Sequence, residues 1–316
     1  MESSPTGVTL GTLIDEFGLE VIRGATDYRE RLILTDDVNR SGLQLTGYFE
    51  SFAYKRIQII GKVENSYLGE LTDLSRRSRF DTFFSYNIPA LILARGLEPY
   101  PECLEMAEQY DRTILRTNEL TTAFMNSLIT SLRYHLAPRI TRHGVLVEVN
   151  GEGVLIMGES GIGKSETAIE LVKRGNLLIA DDAVEIVRVG KNRLLASAPE
   201  LIRHYIELRG IGVIDVSRLF GLSAVKDFAN IDMVIDLEQW DDSAYYDRLG
   251  LDEEFIDLLG VQVPLMRVPV KPGRNLAVII EVAAMNNRNK RMGFNSAAEL
   301  ARQIDEHIDQ ATGKSI

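Results

Sequence analysis

Gly158-Glu159-Ser160-Gly161-Ile162-Gly163-Lys164-Ser165 is a run of the form G-x-x-x-x-G-K-S. An apolar, strand-like run over residues 154–157 leads into it, and residues 166–173 behind it have the spacing of a helix. In a strand–loop–helix of this kind the glycines let backbone N–H groups converge on phosphate oxygens, and the helix N-terminus adds its dipole. Lys164 would then neutralise the β- and γ-phosphates while the Ser165 hydroxyl ligates Mg²⁺. The loop predicts a nucleoside phosphate site that is magnesium-dependent and used for phosphoryl transfer.

Such a site needs an acid. Leu177-Leu-Ile-Ala-Asp-Asp182 is an apolar strand ending in two carboxylates, one helix after the loop, where a metal- or water-contacting aspartate belongs. Spacing alone leaves Asp181 and Asp182 as equal candidates for the base. A guanine-reading Asn/Thr-Lys-x-Asp element is missing, since Asn289-Lys290 is followed by Arg291-Met292, so a kinase is preferred to a GTPase switch. No His-Arg-Asp or Asp-Phe-Gly element occurs either, which excludes the ordinary protein-kinase fold.

Outside the loop, composition narrows the class. With 35 Lys and Arg against 46 Asp and Glu, the net charge of −11 argues against tracking a nucleic-acid backbone. No charged-then-apolar leader opens the chain, and no stretch approaches the roughly 18 apolar residues of a membrane span. The expected setting is cytoplasmic, with neither nucleic acid nor membrane as partner. Cys103 is the only cysteine, so no internal disulfide or multi-thiolate metal site can form, and it reads as a small apolar residue on a helix.

Toward the amino terminus, residues 32–34, 57–60, 90–94 and 113–115 are short buried-strand runs, with helical patterns at 64–71 and 101–109 between some of them. That alternation predicts an α/β unit with a parallel or mixed sheet. Arg76, Arg77 and Arg79 read as a solvated helix face. Residues 117–137 predict one longer helix, with Leu120, Phe124, Leu128 and Leu132 on its apolar stripe, connecting an amino-terminal domain (1–131) to a carboxy-terminal one (132–316).

The carboxy-terminal part starts with an alternating strand over 143–149, the hairpin signal Asn150-Gly151, and a return strand. Later strands are expected near 177–180, 183–189, 231–237 and 261–270, and two helices over 274–290 and 296–312, the second with a Ser296/Glu299 capping box. Residues 207–215 join two glycines, an acid and a base without a clear period, as either a tight turn or a mobile active-site loop. His143, Arg248 and the Lys271–Arg274 turn look structural or superficial when taken singly.

Taken together these segments resemble the HPr kinase/phosphorylase family. The resemblance rests on the histidine-led strand His143-Gly-Val-Leu-Val-Glu, the loop from Gly158 to Ser165, the segment Ile206-Glu207-Leu208-Arg209-Gly210-Ile211-Gly212-Val213-Ile214-Asp215, and Pro269-Val270-Lys271-Pro272-Gly273-Arg274. Asn286-Asn-Arg-Asn-Lys290 also fits. It covers residues 132–316 closely and the first half by length and pattern only. It implies a carboxy-terminal P-loop domain similar to phosphoenolpyruvate carboxykinase, with a non-catalytic amino-terminal α/β domain that is a candidate for regulation.

The resemblance also implies an activity. A serine of the phosphocarrier protein HPr would be phosphorylated with ATP, and inorganic phosphate would remove the group as pyrophosphate, linking sugar uptake to carbon catabolite regulation. The implied catalytic residues are His143, Lys164, Asp182 as base and acid, and Arg248. Ser165 and Glu207 would hold Mg²⁺, residues 206–215 would serve both directions, and residues 269–274 would serve dephosphorylation. A homohexamer is implied as well. A small-molecule P-loop kinase and a nucleotide-controlled binding module are the alternatives, and a pure switch would have no use for a second loop with its own acid.

Overall fold

The computed structural model of the chain describes residues 7–241 and 253–312. It divides into two compact units, Met1–Ala137 and Pro138–Ile316. Among the described residues no helix is long and apolar enough to cross a membrane.

The first unit has strands β1 (Val8–Thr9), β2 (Glu20–Arg23), β3 (Leu32–Ile33), β4 (Val38–Arg40), β5 (Ile57–Ile60), β6 (Leu91–Leu93) and β7 (Ile114–Arg116). Its helices are α1 (Leu10–Phe17), α2 (Gly42–Thr46), α3 (Lys62–Glu70), α4 (Asp73–Ser85), α5 (Pro101–Gln109) and α6 (Thr121–His135). The main sheet runs β2-β7-β6-β5-β4, with β4 to β7 mutually parallel and β2 an antiparallel edge. Parallel strands are covered on both faces, which is why the central ones are mostly apolar, with the buried Gln58 of β5 bonded to the Ala53 and Arg56 carbonyls. Ile57, Ile59, Ile92 and Leu115 face a core with α1 and α6, while Ile60, Leu91, Leu93 and Ile114 face one with α4 and α5. Cys103 is buried in that second core, and burial pushes its thiol pKa up, consistent with an apolar packing role.

Two expectations for this unit change. The long helix begins at Thr121, because backbone bonds just past β6 hold residues 117–119 in a bend: the N–H groups of Gly96 and Arg95 donate to the carbonyls of Thr117 and Glu119 at 2.8 and 2.9 Å. Leu120 is therefore the exposed N-cap, and Phe124, Leu128 and Leu132 alone bury the stripe, in the core of this unit. Arg76 is not solvated. Its guanidinium donates to Glu102 at 3.1 Å and to the Leu71 carbonyl at 2.7 Å, and it lies 4.7 Å over the Tyr100 ring, joining α4 to α5. Arg77 pairs with Glu105 in solvent, as a surface residue does.

The second unit has β8 (Arg139–His143), β9 (Val145–Val149), β10 (Glu152–Gly158), α7 (Lys164–Lys173), β11 (Leu177–Ala180), β12 (Ala183–Arg188), β13 (Leu194–Ser197), β14 (Tyr205–Leu208), β15 (Gly212–Asp215) and α8 (Val216–Phe220). It continues through β16 (Phe228–Asn230), β17 (Met233–Gln239), β18 (Glu254–Leu258), β19 (Val261–Val270), α9 (Leu276–Arg291) and α10 (Ser296–Thr312). A six-stranded mixed sheet runs β11-β9-β10-β17-β19-β18, with β10, β17 and β19 parallel. Val145, Val147, Val154 and Ile156 bury one face against α7 and α9. Leu146, Leu155 and Val234 bury the other against the antiparallel sheet β16-β13-β12-β8.

The strand expected over 143–149 is two strands in different sheets. Gly144 is the joint: a Cβ there would lie 2.7 Å from the Ile156 carbonyl oxygen, and the Gly144 N–H donates to the Asp182 carbonyl at 3.2 Å. His143 thus ends β8 and does not begin β9. The Asn150-Gly151 hairpin forms as expected, with both residues at positive φ (53° and 85°). For α10 the cap is Asn295 and not Ser296: the Asn295 carboxamide oxygen accepts from the N–H groups of Ala297 and Ala298 at 3.1 and 3.2 Å, which leaves Ser296 as the first helical residue.

Asp111, at φ 51°, accepts from the Thr26 backbone N–H at 3.1 Å and from Arg23 at 3.0 Å. The backbone bond first, and Arg23 second, hold its pKa at about 2. A folded pKa below the unfolded value of about 3.9 gives stability that is complete above that value and is lost as pH falls toward 2. Asp111→Asn tolerates the same backbone, so it should melt below the parent protein at neutral pH and approach it near pH 2. A melting gap independent of pH would contradict this account.

Candidate active site

The six-stranded sheet collects the candidate residues along one edge. Strands β10, β17 and β19 end there, and β11 does too, because both β10 and β11 are antiparallel to β9. The start of β9 lies at the same edge, beside His143. Ligands of open α/β sheets bind outside the carboxyl ends of the strands, and here those ends release the P-loop, Asp181-Asp182, the chain toward Trp240, and the turn at 269–274.

Within the P-loop, Gly158, Gly161 and Gly163 have φ of 135°, 86° and 103°, values that glycine alone adopts easily. A Cβ on Gly158 would also meet the Leu237 carbonyl oxygen at 2.5 Å. α7 starts at Lys164 with no side-chain cap, so its first backbone N–H groups face the loop's concavity. Lys164 is nine-tenths buried, and its ammonium donates to the carbonyls of Gly158 and Glu159 at 2.8 and 2.9 Å. One of its three N–H bonds remains for a ligand.

The two acids, equivalent by spacing, have opposite surroundings. Asp181 is 4% exposed, accepting the Ser165 hydroxyl at 2.9 Å and the Glu207 backbone N–H at 3.0 Å. Burial raises its pKa, against the lowering effect of those two donors. Asp182 turns out of the strand at φ 68° with its side chain 68% exposed, 3.3 Å from His143 Nδ1. One carboxylate is thus locked to the loop's serine, and its neighbour is open to an incoming acceptor.

The segment 206–215 is an ordered hairpin, β14–β15, with positive-φ glycines at 210 and 212. Ile206 roots it in the core, while the side chain of Glu207 is exposed. Asp215 is used structurally, accepting from the Ser217 hydroxyl and the Arg218 N–H at the start of α8. The turn 269–274 is closed by Arg274, whose guanidinium donates to the Pro269 carbonyl at 2.8 Å, and Lys271 lies 4.7 Å over the Trp240 ring. Arg248 lies outside the described residues.

The edge therefore brings together the P-loop, His143, Asp182, the Glu207 hairpin and the 269–274 turn. Two residues within these candidate segments gain particular partners: Asp181 holds Ser165, and Arg209 reaches Ser160 of the loop. The first had a signal in the sequence. A strand apolar on both faces keeps the next residue buried until the chain turns, which it does at Asp182.

Comparison with known proteins agrees over both units. A family profile described as HPr Serine kinase N terminus matches residues 8–132, and one described as HPr Serine kinase C-terminal domain matches residues 134–304. The chain is similar to the HPr kinase/phosphorylase of Caldanaerobacter subterraneus subsp. tengcongensis, 54% identical over 301 residues, covering 95% of this chain and 98% of the relative. It is 52% identical over 301 residues to the protein of the same name from a Thermoanaerobacter species, with the same coverage. A solved HPr(Ser) kinase/phosphatase from Coxiella burnetii is 36% identical, with a TM-score of 0.47, over 51% of this chain and 98% of its own. With both profiles matched and relatives above half identity over nearly the whole length, the chain belongs to the HPr kinase/phosphorylase family of bifunctional enzymes.

Proposed function

We propose that this chain phosphorylates a serine of HPr with ATP and Mg²⁺, and removes that group by phosphorolysis with inorganic phosphate, releasing pyrophosphate. The observation that carries the reading is the pair of unlike acids at the loop: Asp181 buried on Ser165, and Asp182 exposed beside His143. A base left open to solvent suits an acceptor large enough to cover it, which favours a protein over a small molecule.

Mg²⁺ prefers oxygen ligands, usually one or two carboxylates together with substrate phosphates. Ser165 and Asp181 fit that preference, and Glu207 stands on the hairpin that Asp181 anchors. Bound there, the ion would offset charge on the β- and γ-phosphate oxygens. The loop's N–H groups and Lys164 hold the phosphates in line. Asp182, oriented by His143, takes the proton of the serine hydroxyl as its oxygen attacks the terminal phosphorus. The bond to the β,γ-bridging oxygen breaks and ADP leaves.

In reverse, an oxygen of inorganic phosphate attacks the phosphoserine phosphorus. The bond to the seryl oxygen breaks, Asp182 returns a proton to that oxygen, and pyrophosphate leaves. The 269–274 turn, with Arg274, stands at the same edge and serves the incoming phosphate, and Arg248 offsets charge on the transferred group. The first unit supplies none of these residues and is read as non-catalytic. The family resemblance adds a cytoplasmic setting and a homohexamer. Exposed apolar side chains on α9 (Val278, Val282, Met285) and α10 (Leu300, Ile304) support an assembly.

Asp182→Asn should lower HPr phosphorylation by about 10²-fold or more, the usual worth of a positioned base, with ATP affinity little changed. Near-normal activity, read by phosphate transfer from labelled ATP, would remove Asp182 from its role. Arg274→Ala should slow phosphorolysis of phosphoseryl-HPr more than phosphorylation. Equal losses in the two directions would contradict the assignment of that turn.

A further inference from the structure

In the first unit, the parallel strands β5, β6 and β7 release their chains along one edge of the sheet. The connections after β5 and β6 pass to the face that carries α4 and α5, whereas β7 leads to α6 on the opposite face. Outside the carboxyl ends of an α/β sheet, ligands bind in the crevice that opens where neighbouring connections part in this way. That place is the end of β6, where the Ala94 N–H donates to the Ile60 carbonyl of β5 at 3.0 Å and the chain continues as Arg95-Gly96.

Two helix N-termini meet there. The N-caps are Gly61 for α3 and Leu120 for α6, and neither caps its helix with a side chain, so first-turn N–H groups are left for other acceptors. At α3, Glu64 accepts the Gly61 N–H at 3.0 Å and is neutralised by Arg40 at 2.7 Å. Thr121 opens α6 and is 5% exposed, yet its hydroxyl makes no hydrogen bond among the described residues. It is turned toward the start of α3: a Cβ on Gly61 would lie 2.6 Å from Thr121 Oγ1. A hydroxyl so enclosed, without a protein partner, is costly unless something else satisfies it. Arg95 and Lys62 are exposed at the same edge, and neither forms an ion pair among the described residues. Glu119, whose carbonyl accepts the Arg95 N–H, keeps its own side chain exposed.

We propose that this crevice of the first unit binds the phosphate group of a small molecule, either free phosphate or a phosphomonoester. The N–H groups that open α3 and α6 and the Thr121 hydroxyl donate to its oxygens, and Arg95 and Lys62 supply the charge. Donors arriving from two helices and a loop suit the tetrahedral array of phosphate oxygens, and the guanidinium fork adds charge-assisted bonds. Every residue of the site belongs to the first unit. The site is therefore distinct from the P-loop and does not rest on the phosphoryl-transfer reading.

The test uses the full chain with saturating ADP and Mg²⁺, so that the P-loop is filled. Hydrogen exchange is followed by mass spectrometry as inorganic phosphate or glycerol 2-phosphate is added, against sodium chloride of equal ionic strength. Peptides over residues 61–66 and 119–126 should exchange more slowly with phosphate. An effect of inorganic phosphate alone assigns the site to the free anion, and a stronger effect of the ester assigns it to a phosphorylated metabolite. Arg95→Gln should raise the half-saturating concentration by about tenfold, the loss of one charge-assisted contact. Thr121→Val should raise it by about fivefold and should melt no lower than the parent, because the hydroxyl has no protein partner to lose. Slower exchange confined to the P-loop, no slowing by either anion, or unchanged half-saturation in both variants would overturn the proposal. A lower melting temperature for Thr121→Val would do the same, by showing that the hydroxyl serves the fold.

Discussion

The carboxylate of Asp181, shut away from solvent, ties three pieces of chain that are distant in sequence. It belongs to the end of β11, accepts the hydroxyl of Ser165 at the start of α7, and accepts the N–H of Glu207 on the β14–β15 hairpin. Burying a carboxylate is costly unless donors surround it, so both donors are required by the place the acid occupies. The bond to Glu207 fixes where the hairpin stands. The bond to Ser165 fixes the hydroxyl beside which a cation would sit. A metal ion nearby would further favour the ionised acid, which burial alone opposes.

From that fixed point the sheet distributes the remaining chemistry. Because β10, β11, β17 and β19 run the same way, everything released from their carboxyl ends falls along one edge, a few strand spacings of about 4.8 Å across. His143 reaches the edge by another route, at the end of β8 in the second sheet. Gly144 then lets the chain cross from one sheet to the other, against the Ile156 carbonyl. The Gly144 N–H to Asp182 carbonyl bond brings the histidine and the exposed acid to their 3.3 Å contact. One local crossing thus couples two residues 39 positions apart, by the difference 182 − 143.

Much of this was legible in the residues, and the exceptions share a cause. The P-loop, the strands Leu177–Ala180 and Val261–Val270 and the helix Pro101–Gln109 follow from local pattern, because their own residues supply the signal. Leu120 falls on the stripe by spacing, yet backbone bonds from Arg95 and Gly96, just past β6, hold the chain out of the helix up to that point. Ser296 looked like a cap, yet Asn295 stands one residue earlier with a better acceptor. Arg76 looked solvated, and only the fold brings Glu102 and Tyr100 to it. At the site, spacing could not separate Asp181 from Asp182, since what separates them is a turn at φ 68° and partners from distant segments. The 207–215 segment has no period because Ile206 alone roots its first strand in the core.

The central claim is that one edge carries phosphate both to the acceptor serine and away from it. A single label follows both steps: HPr is phosphorylated by the chain with γ-labelled ATP and Mg²⁺, freed of nucleotide, and returned to the enzyme with unlabelled inorganic phosphate. The account predicts that the label enters HPr on serine and leaves it in pyrophosphate. Label released as inorganic phosphate would mean hydrolysis by water, and label that never reaches HPr would mean a different acceptor; either result would contradict the account.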